Sequence, residues 1–267
     1  MKAKKEREYI EKYWKEMGRR LDAFQHSHDQ ADLHQFRVNV KKLKSAILLL
    51  QGSGKKSLIK RFRPVKGVFR KAGEVRDVYI HLQLSKRYHL ENPQTDGEQQ
   101  KSLKKLTHDF CAHTNKHRKK LKKARKKIDK AVRPLDAQTV LQFYKNNLHE
   151  IAAFLSHPVF NEQLHDSHKK MKYLLHNYKL AGQTGKPELP PLHLAYLDKL
   201  QELIGEWHDN VLSIDLFNSP AFNNPAVADR IKEQNGALQS KILEQVKGFE
   251  EKAEKSGKEV DRKITEE

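Results

Sequence analysis

A single cysteine, Cys111, leaves no room for an internal disulfide framework or a cysteine-built zinc cluster. Only 12 glycines and 9 prolines in 267 residues supply too few tight turns for an all-β fold. Alternation of apolar and polar residues over five or more positions, the mark of a half-buried strand, is missing. The longest aliphatic run, AILLL at 46–50, is far short of the roughly 20 residues of a membrane span. The charged start MKAKKEREYI has no apolar segment behind it, so no secretory leader is expected. These absences predict a soluble cytoplasmic protein with no membrane partner. Acids are also scarce: 34 stand against 53 Lys and Arg, a formal charge of +19. An excess of that size predicts a polyanionic partner: nucleic acid, an anionic membrane surface or another phosphate polymer.

What the chain does have is helical period. Ile10, Tyr13, Met17, Leu21 and Phe24 form one apolar stripe, and Leu33, Phe36, Val40, Leu43, Ile47 and Leu50 the next. Leu58, Phe62, Val65, Phe69 and Ala72 form a third, with Pro64 as a kink or a first turn. Gly73 reads as a break and Asp77 as the cap of a short following helix. ENPQTDGEQQ at 91–100 reads as a loop and Lys101–Arg133 as one long helix. Further helices are predicted at Thr139–Leu155, Val159–Leu180, His193–Gly205, Val211–Phe217 and Val227–Lys252, with loops at 182–191 and 218–225. The predicted fold class is all-α.

The order of motifs recurs. LHQFRVNVKKLK at Leu33 has a counterpart in LHDSHKKMKYLL at Leu164, and AGEVRD at Ala72 has one in IGEWHD at Ile204. His34 precedes Asp77 by 43 residues and His165 precedes Asp209 by 44, so both pairs sit at one offset of about half the chain. The prediction is two tandem four-helix units, 1–133 and 134–267, related by a pseudo-twofold.

On a helix, His34, Arg37, Lys41 and Lys44 fall within an arc of roughly 80°, beside the core stripe and not opposite it. That places cations at the seam with a neighbouring helix, where they repel one another unless anions arrive. Lys66, Arg70, Gly73 and Asp77 share one face of the third helix. Asp77, next to Arg76, is expected to cap a helix or to hold an arginine for phosphate, with Asp209 in the matching place. The segment Asn115–Arg133 carries 11 Lys or Arg and one acid, Asp129, yet keeps an apolar stripe. It therefore reads as a packed helix with cations on its outer positions, among them Lys116, Lys119, Lys120, Lys123 and Lys127.

Enzymatic readings are weaker. Phosphoryl chemistry draws on Mg²⁺ held by clustered carboxylates, and neither DxD nor G-x-x-x-x-G-K-[ST] is present. His113 and His117 form an HxxxH, without the acids of a zinc hydrolase. No catalytic residue, metal or cofactor is expected. Most Phe and Tyr fall on core stripes, so the stacking surface for single-stranded nucleic acid is thin.

These motifs resemble a known family. His34, Arg37, Val38, Lys41, Lys42, Leu43 and Lys44 look like the HxxRVxxRRLR signature of the CHAD domain, the conserved histidine α-helical domain, and Ala72–Val78 looks like its LGxxRDxxV. His165, Lys169 and Lys172, with Ile204–Asp209, look like the signatures of its second half. The resemblance implies two four-helix bundles with a basic groove between them. It also implies non-enzymatic binding of inorganic polyphosphate and, in some members, association with polyphosphate granules. A sequence-nonspecific nucleic-acid binder is the alternative. His168 and His208 stand where the family or the first repeat offers arginine, so affinity is expected to rise as pH falls from about 8 to about 6. Replacing Arg37 and Lys41 by alanine is expected to weaken binding while stability changes little or rises.

Overall fold

The stripes read from the sequence become buried faces because long amphipathic helices have one way to remove them from water. A computed structural model of the chain describes residues 4–51, 57–88, 93–183, 191–219 and 222–254. Its helices are α1 (Lys4–Ser27), α2 (Gln30–Gln51), α3 (Leu58–Arg61), α4 (Arg63–Arg87), α5 (Pro93–Ala112), α6 (Thr114–Asp129), α7 (Ala137–Leu155), α8 (Glu162–Gln183), α9 (Leu194–Asn218), α10 (Pro225–Val246) and α11 (Phe249–Ala253). Among the described residues there is no strand, only an isolated bridge between Leu192 and Glu254. No described helix is long and apolar enough to cross a membrane. The chain divides into two compact units, Met1–Leu135 and Asp136–Glu267.

In unit 1, α1 packs on α2, α2 on α4 and α4 on α5, while α6 lies against both α1 and α4. Every residue of the first two predicted stripes is buried. Phe24 of α1 meets Phe110 of α5, which in turn lies 4.7 Å from the His117 ring of α6. The unit is closed at its far end by the buried Glu6, whose Oε1 accepts the Leu135 N–H at 2.9 Å. In unit 2, α7 packs on α8, α8 on α9 and α9 on α10, while the short α11 lies against both α7 and α9. Tyr144, fully buried, donates its hydroxyl to the Leu174 carbonyl at 3.2 Å and so pins α7 to α8.

Several predicted boundaries are corrected. Pro64 opens α4 in its first turn, where its missing N–H costs nothing. Gly73 does not break that helix, which runs on to Arg87, so Asp77 is not an N-cap. Likewise, the separate helices predicted at His193–Gly205 and Val211–Phe217 are one helix, α9, with Gly205 inside it. The predicted loop at 91–100 is helical from Pro93. The long helix at 101–133 is two, divided at His113. Val159 lies outside α8, exposed, and the helix is entered through Asn161, whose Oδ1 accepts the Gln163 N–H. The last helix stops at Val246, because Gly248 takes a left-handed φ of 65° and turns the chain into α11. The predicted loop at 182–191 lies mostly outside the described residues.

Candidate functional site

The cationic flank of α2 meets α4 along the seam that the spacing predicted. Arg37 crosses it. Its Nη1 donates to the Phe69 carbonyl at 3.0 Å, and its guanidinium carbon stands 4.3 Å from the Phe69 ring centre. One turn further along α4, Gly73 leaves the space this needs: a Cβ there would lie 2.5 Å from Nη1. That contact explains a glycine kept inside a helix at a cost of about 1 kcal/mol. The charged form of His34 is disfavoured by burial first, then by Arg76, Lys41 and Arg37. Burial likewise lowers the pKa of Arg37, with Asp77 opposing and Arg76 adding to the effect. The fold therefore brings His34, Arg37 and Lys41 of α2 together with Arg76 and Asp77 of α4. Lys66 and Arg70 continue the same outer face of α4, both exposed. Lys42 and Lys44 are both half-buried, and Lys42 falls outside the arc that holds His34, Arg37, Lys41 and Lys44.

Two expectations about this seam are corrected. Asp77 makes no ion pair among the described residues, so Arg37 is held by a carbonyl, a ring and a glycine, and Asp77 acts on it only through its field. Arg37 is also a packed side chain, so its removal must cost stability as well as charge.

The basic helix α6 has two different flanks. Its buried stripe is His117, Leu121, Ala124 and Ile128. On one side, arginines pair with acids: Arg118 with Asp22 at 2.6 Å, and Arg125 with Glu11 at 2.7 Å. On the other, Lys116, Lys119, Lys120, Lys123 and Lys127 fall within roughly 100° of arc. None of the five has an ion pair among the described residues, and all but the half-buried Lys120 are exposed. Beneath them, neither ring nitrogen of the buried His117 has a hydrogen-bond partner in its described surroundings. Burial, then Lys120, His113 and Lys116, push its pKa down to about 4.

The same arrangement recurs in unit 2 with different chemistry. His168 occupies the place over Gly205 that Arg37 has over Gly73: a Cβ on Gly205 would lie 2.7 Å from its Cε1. Its Nδ1 lies 2.6 Å from the carbonyl of Gln201, four residues before the glycine, as Phe69 is before Gly73. His165 stacks on His208 with ring centres 3.5 Å apart, and burial followed by His208 and Lys169 drives its pKa to about 4. Lys169 is paired with Glu162 and Asp166, both at 2.9 Å. Asp209, like Asp77, is exposed and makes no ion pair among the described residues. His168 is only 7 % exposed, so the prediction that it contacts a polyanion is corrected: it is a packing residue. The predicted pH dependence through His168 falls with it.

The model of the CHAD domain matches residues 8–218, four-fifths of the chain. The chain belongs to the CHAD domain family. The crystal structure of the CHAD domain from the plant Ricinus communis is similar to it with a TM-score of 0.64, over 92% of each chain and at 16% identity. At that identity the likeness concerns the fold. No curated protein matches the chain.

Within this CHAD domain the positive charge is unevenly divided. Unit 1 holds 37 Lys and Arg against 14 acids, a formal +23, and unit 2 holds 16 against 20, a formal −4. The excess of the whole chain thus belongs to one unit. The two halves of the sequence carry this signal, and the whole-chain charge conceals it. Among the described residues, no three His, Cys, Asp or Glu side chains are grouped so as to hold a metal ion.

Proposed function

We propose that this CHAD domain binds inorganic polyphosphate and does not turn it over. The observation that carries the reading is an array of cations in unit 1 without acid partners among the described residues. It comprises the five lysines on one flank of α6, and Lys66, Arg70 and Arg76 on α4 beside His34 and Arg37. A polymer with about one negative charge per unit and no bases asks for closely spaced Lys and Arg and for little else. The paired arginines on the opposite flank of α6 make the contrast: there the chain supplies its own anions.

The two units are read as copies of one plan. In each, four helices pack in sequence order, a fifth lies against the first and third, and a donor crosses from the second helix to a carbonyl one turn before a glycine of the third. The basic groove that the family resemblance implies between the units is not required, because the cations that carry the reading all stand on unit 1. Association with granules follows the family resemblance, a cytoplasmic setting follows the sequence reading, and both belong to this proposal.

Competition tests the reading. Long-chain polyphosphate should displace a labelled DNA duplex or RNA at far lower phosphate concentration than either displaces polyphosphate. Displacement with equal ease both ways favours a nonspecific nucleic-acid binder. Steady release of phosphate in the same tubes favours a hydrolase.

A further inference from the structure

Resting on the polyphosphate reading above, we infer that the site is one-sided: unit 1 holds the polyanion, and the matching face of unit 2 is a closed packing seam. Four observations converge. The first is charge, +23 against −4, so the field that draws a polyanion in comes from unit 1.

The second is the residue in the crossing position. An arginine has five N–H donors, and Arg37 spends one on Phe69. The rest of its fork is available at the half-buried rim of the seam. The Gln201 carbonyl can only accept, so Nδ1 of His168 donates to it and is already used. The ring is buried, so a phosphate has no open edge of it to reach.

The third is the neighbourhood. Lys169 is bound to two carboxylates and Lys170 to Glu150, so these cations already have their anions. His165 lies face to face with His208, and its protonated form is disfavoured by burial, His208 and Lys169, against the weaker pull of Glu162 and Asp166.

The fourth is the helix packed against the first and third helices of each unit. In unit 1 the helix against both the first and third helices is the 16-residue, lysine-rich α6. In unit 2 the element in that place is the five-residue α11, FEEKA, with Glu250 and Glu251 in its first turn.

The test uses the full chain and a polyphosphate of defined length, titrated by calorimetry near pH 7.5. Two double variants each remove two positive charges: Lys66→Gln with Arg70→Gln in unit 1, and Lys169→Gln with Lys172→Gln in unit 2. The unit 1 pair should lose affinity at least tenfold and the unit 2 pair no more than about threefold. Equal losses overturn one-sidedness, as does a larger loss from unit 2. His168→Gln should leave affinity unchanged even if it lowers the melting temperature. A tenfold loss of affinity in that variant with normal melting would return His168 to the site and sink the inference. A wild-type chain that binds no polyphosphate at all is a different result, which removes the functional reading itself.

Discussion

Alanine at Gly73 and at Gly205 should give opposite outcomes, although both glycines sit inside helices and under the same kind of contact. Replacing an interior helical glycine by alanine gains about 1 kcal/mol of helix propensity. At Gly73 the new methyl would lie 2.5 Å from Nη1 of Arg37, the free end of a flexible side chain. That end swings away and forfeits its bond to Phe69, worth about 1 kcal/mol, and its ring contact, worth roughly 0.5 to 1 kcal/mol. The terms nearly cancel, so the melting temperature should move by only a few degrees. The guanidinium, however, is no longer aimed, and polyphosphate affinity should drop by about tenfold. At Gly205 the methyl would lie 2.7 Å from Cε1 and 3.3 Å from Nδ1 of His168. This ring is buried, tied to Gln201 and stacked near His165 at 5.4 Å, so it has nowhere to go. Overpacking of that kind costs about 1–3 kcal/mol, and the lost hydrogen bond adds about 1. The net loss of roughly 1–3 kcal/mol should appear as a lower-melting transition in calorimetry, with affinity unchanged. If Gly73→Ala destabilises as much as Gly205→Ala, or leaves affinity intact, the account of Arg37 as a held and aimed donor is wrong.

Acid should weaken unit 1 through His117. Its folded pKa is depressed to about 4 while its unfolded value is about 6.5, so the stability is intact above pH 6.5 and is lost as pH falls toward 4. The loss from this one buried ring is about 2 kcal/mol by pH 5. His117→Phe should flatten urea midpoints between pH 7.5 and 5, and an unchanged slope would count against the assignment. Glu6→Ala should cost about 1–3 kcal/mol, because it leaves the buried Leu135 N–H without an acceptor, and hydrogen exchange at Leu135 should accelerate; continued slow exchange there would mean that another group takes over. Polyphosphate should raise the melting temperature by mass action, and the rise should shrink steeply with salt. Orthophosphate at equal phosphate concentration should do much less, since it cannot link several cations at once, and equal stabilisation would point to scattered neutralisation.

The stripes of α1 and α2 were legible because burial on a helix leaves a period, and the seam flank beside them was legible for the same reason. Gly73 and Gly205 were not, since local propensity counts a glycine as a break. What overrides it is a contact with a residue more than 30 positions away, Arg37 or His168, which no local window contains. The division at His113 carries no glycine or proline, and the apolar and basic periods run on through it, so the pattern predicts one helix. In α6 the spacing could show a basic surface but not which flank is neutralised, because Asp22 and Glu11 come from α1. The demotion of His168 from contact to packing residue rests on its bond to the Gln201 carbonyl, again a tertiary fact.

The clasp between Glu6 and Leu135 also bears on time. The chain emerges from the ribosome at roughly 5–20 residues per second, N-terminal end first. The carboxylate that closes unit 1 therefore emerges well before its partner N–H, which follows 129 residues later. For several seconds of synthesis, α1 has only α2 to cover it, and the face that will meet α6 stays open. Within unit 1, the first helix made is among the last completed, and the arginines of α6 find Asp22 and Glu11 only when the rest of the unit is already in place.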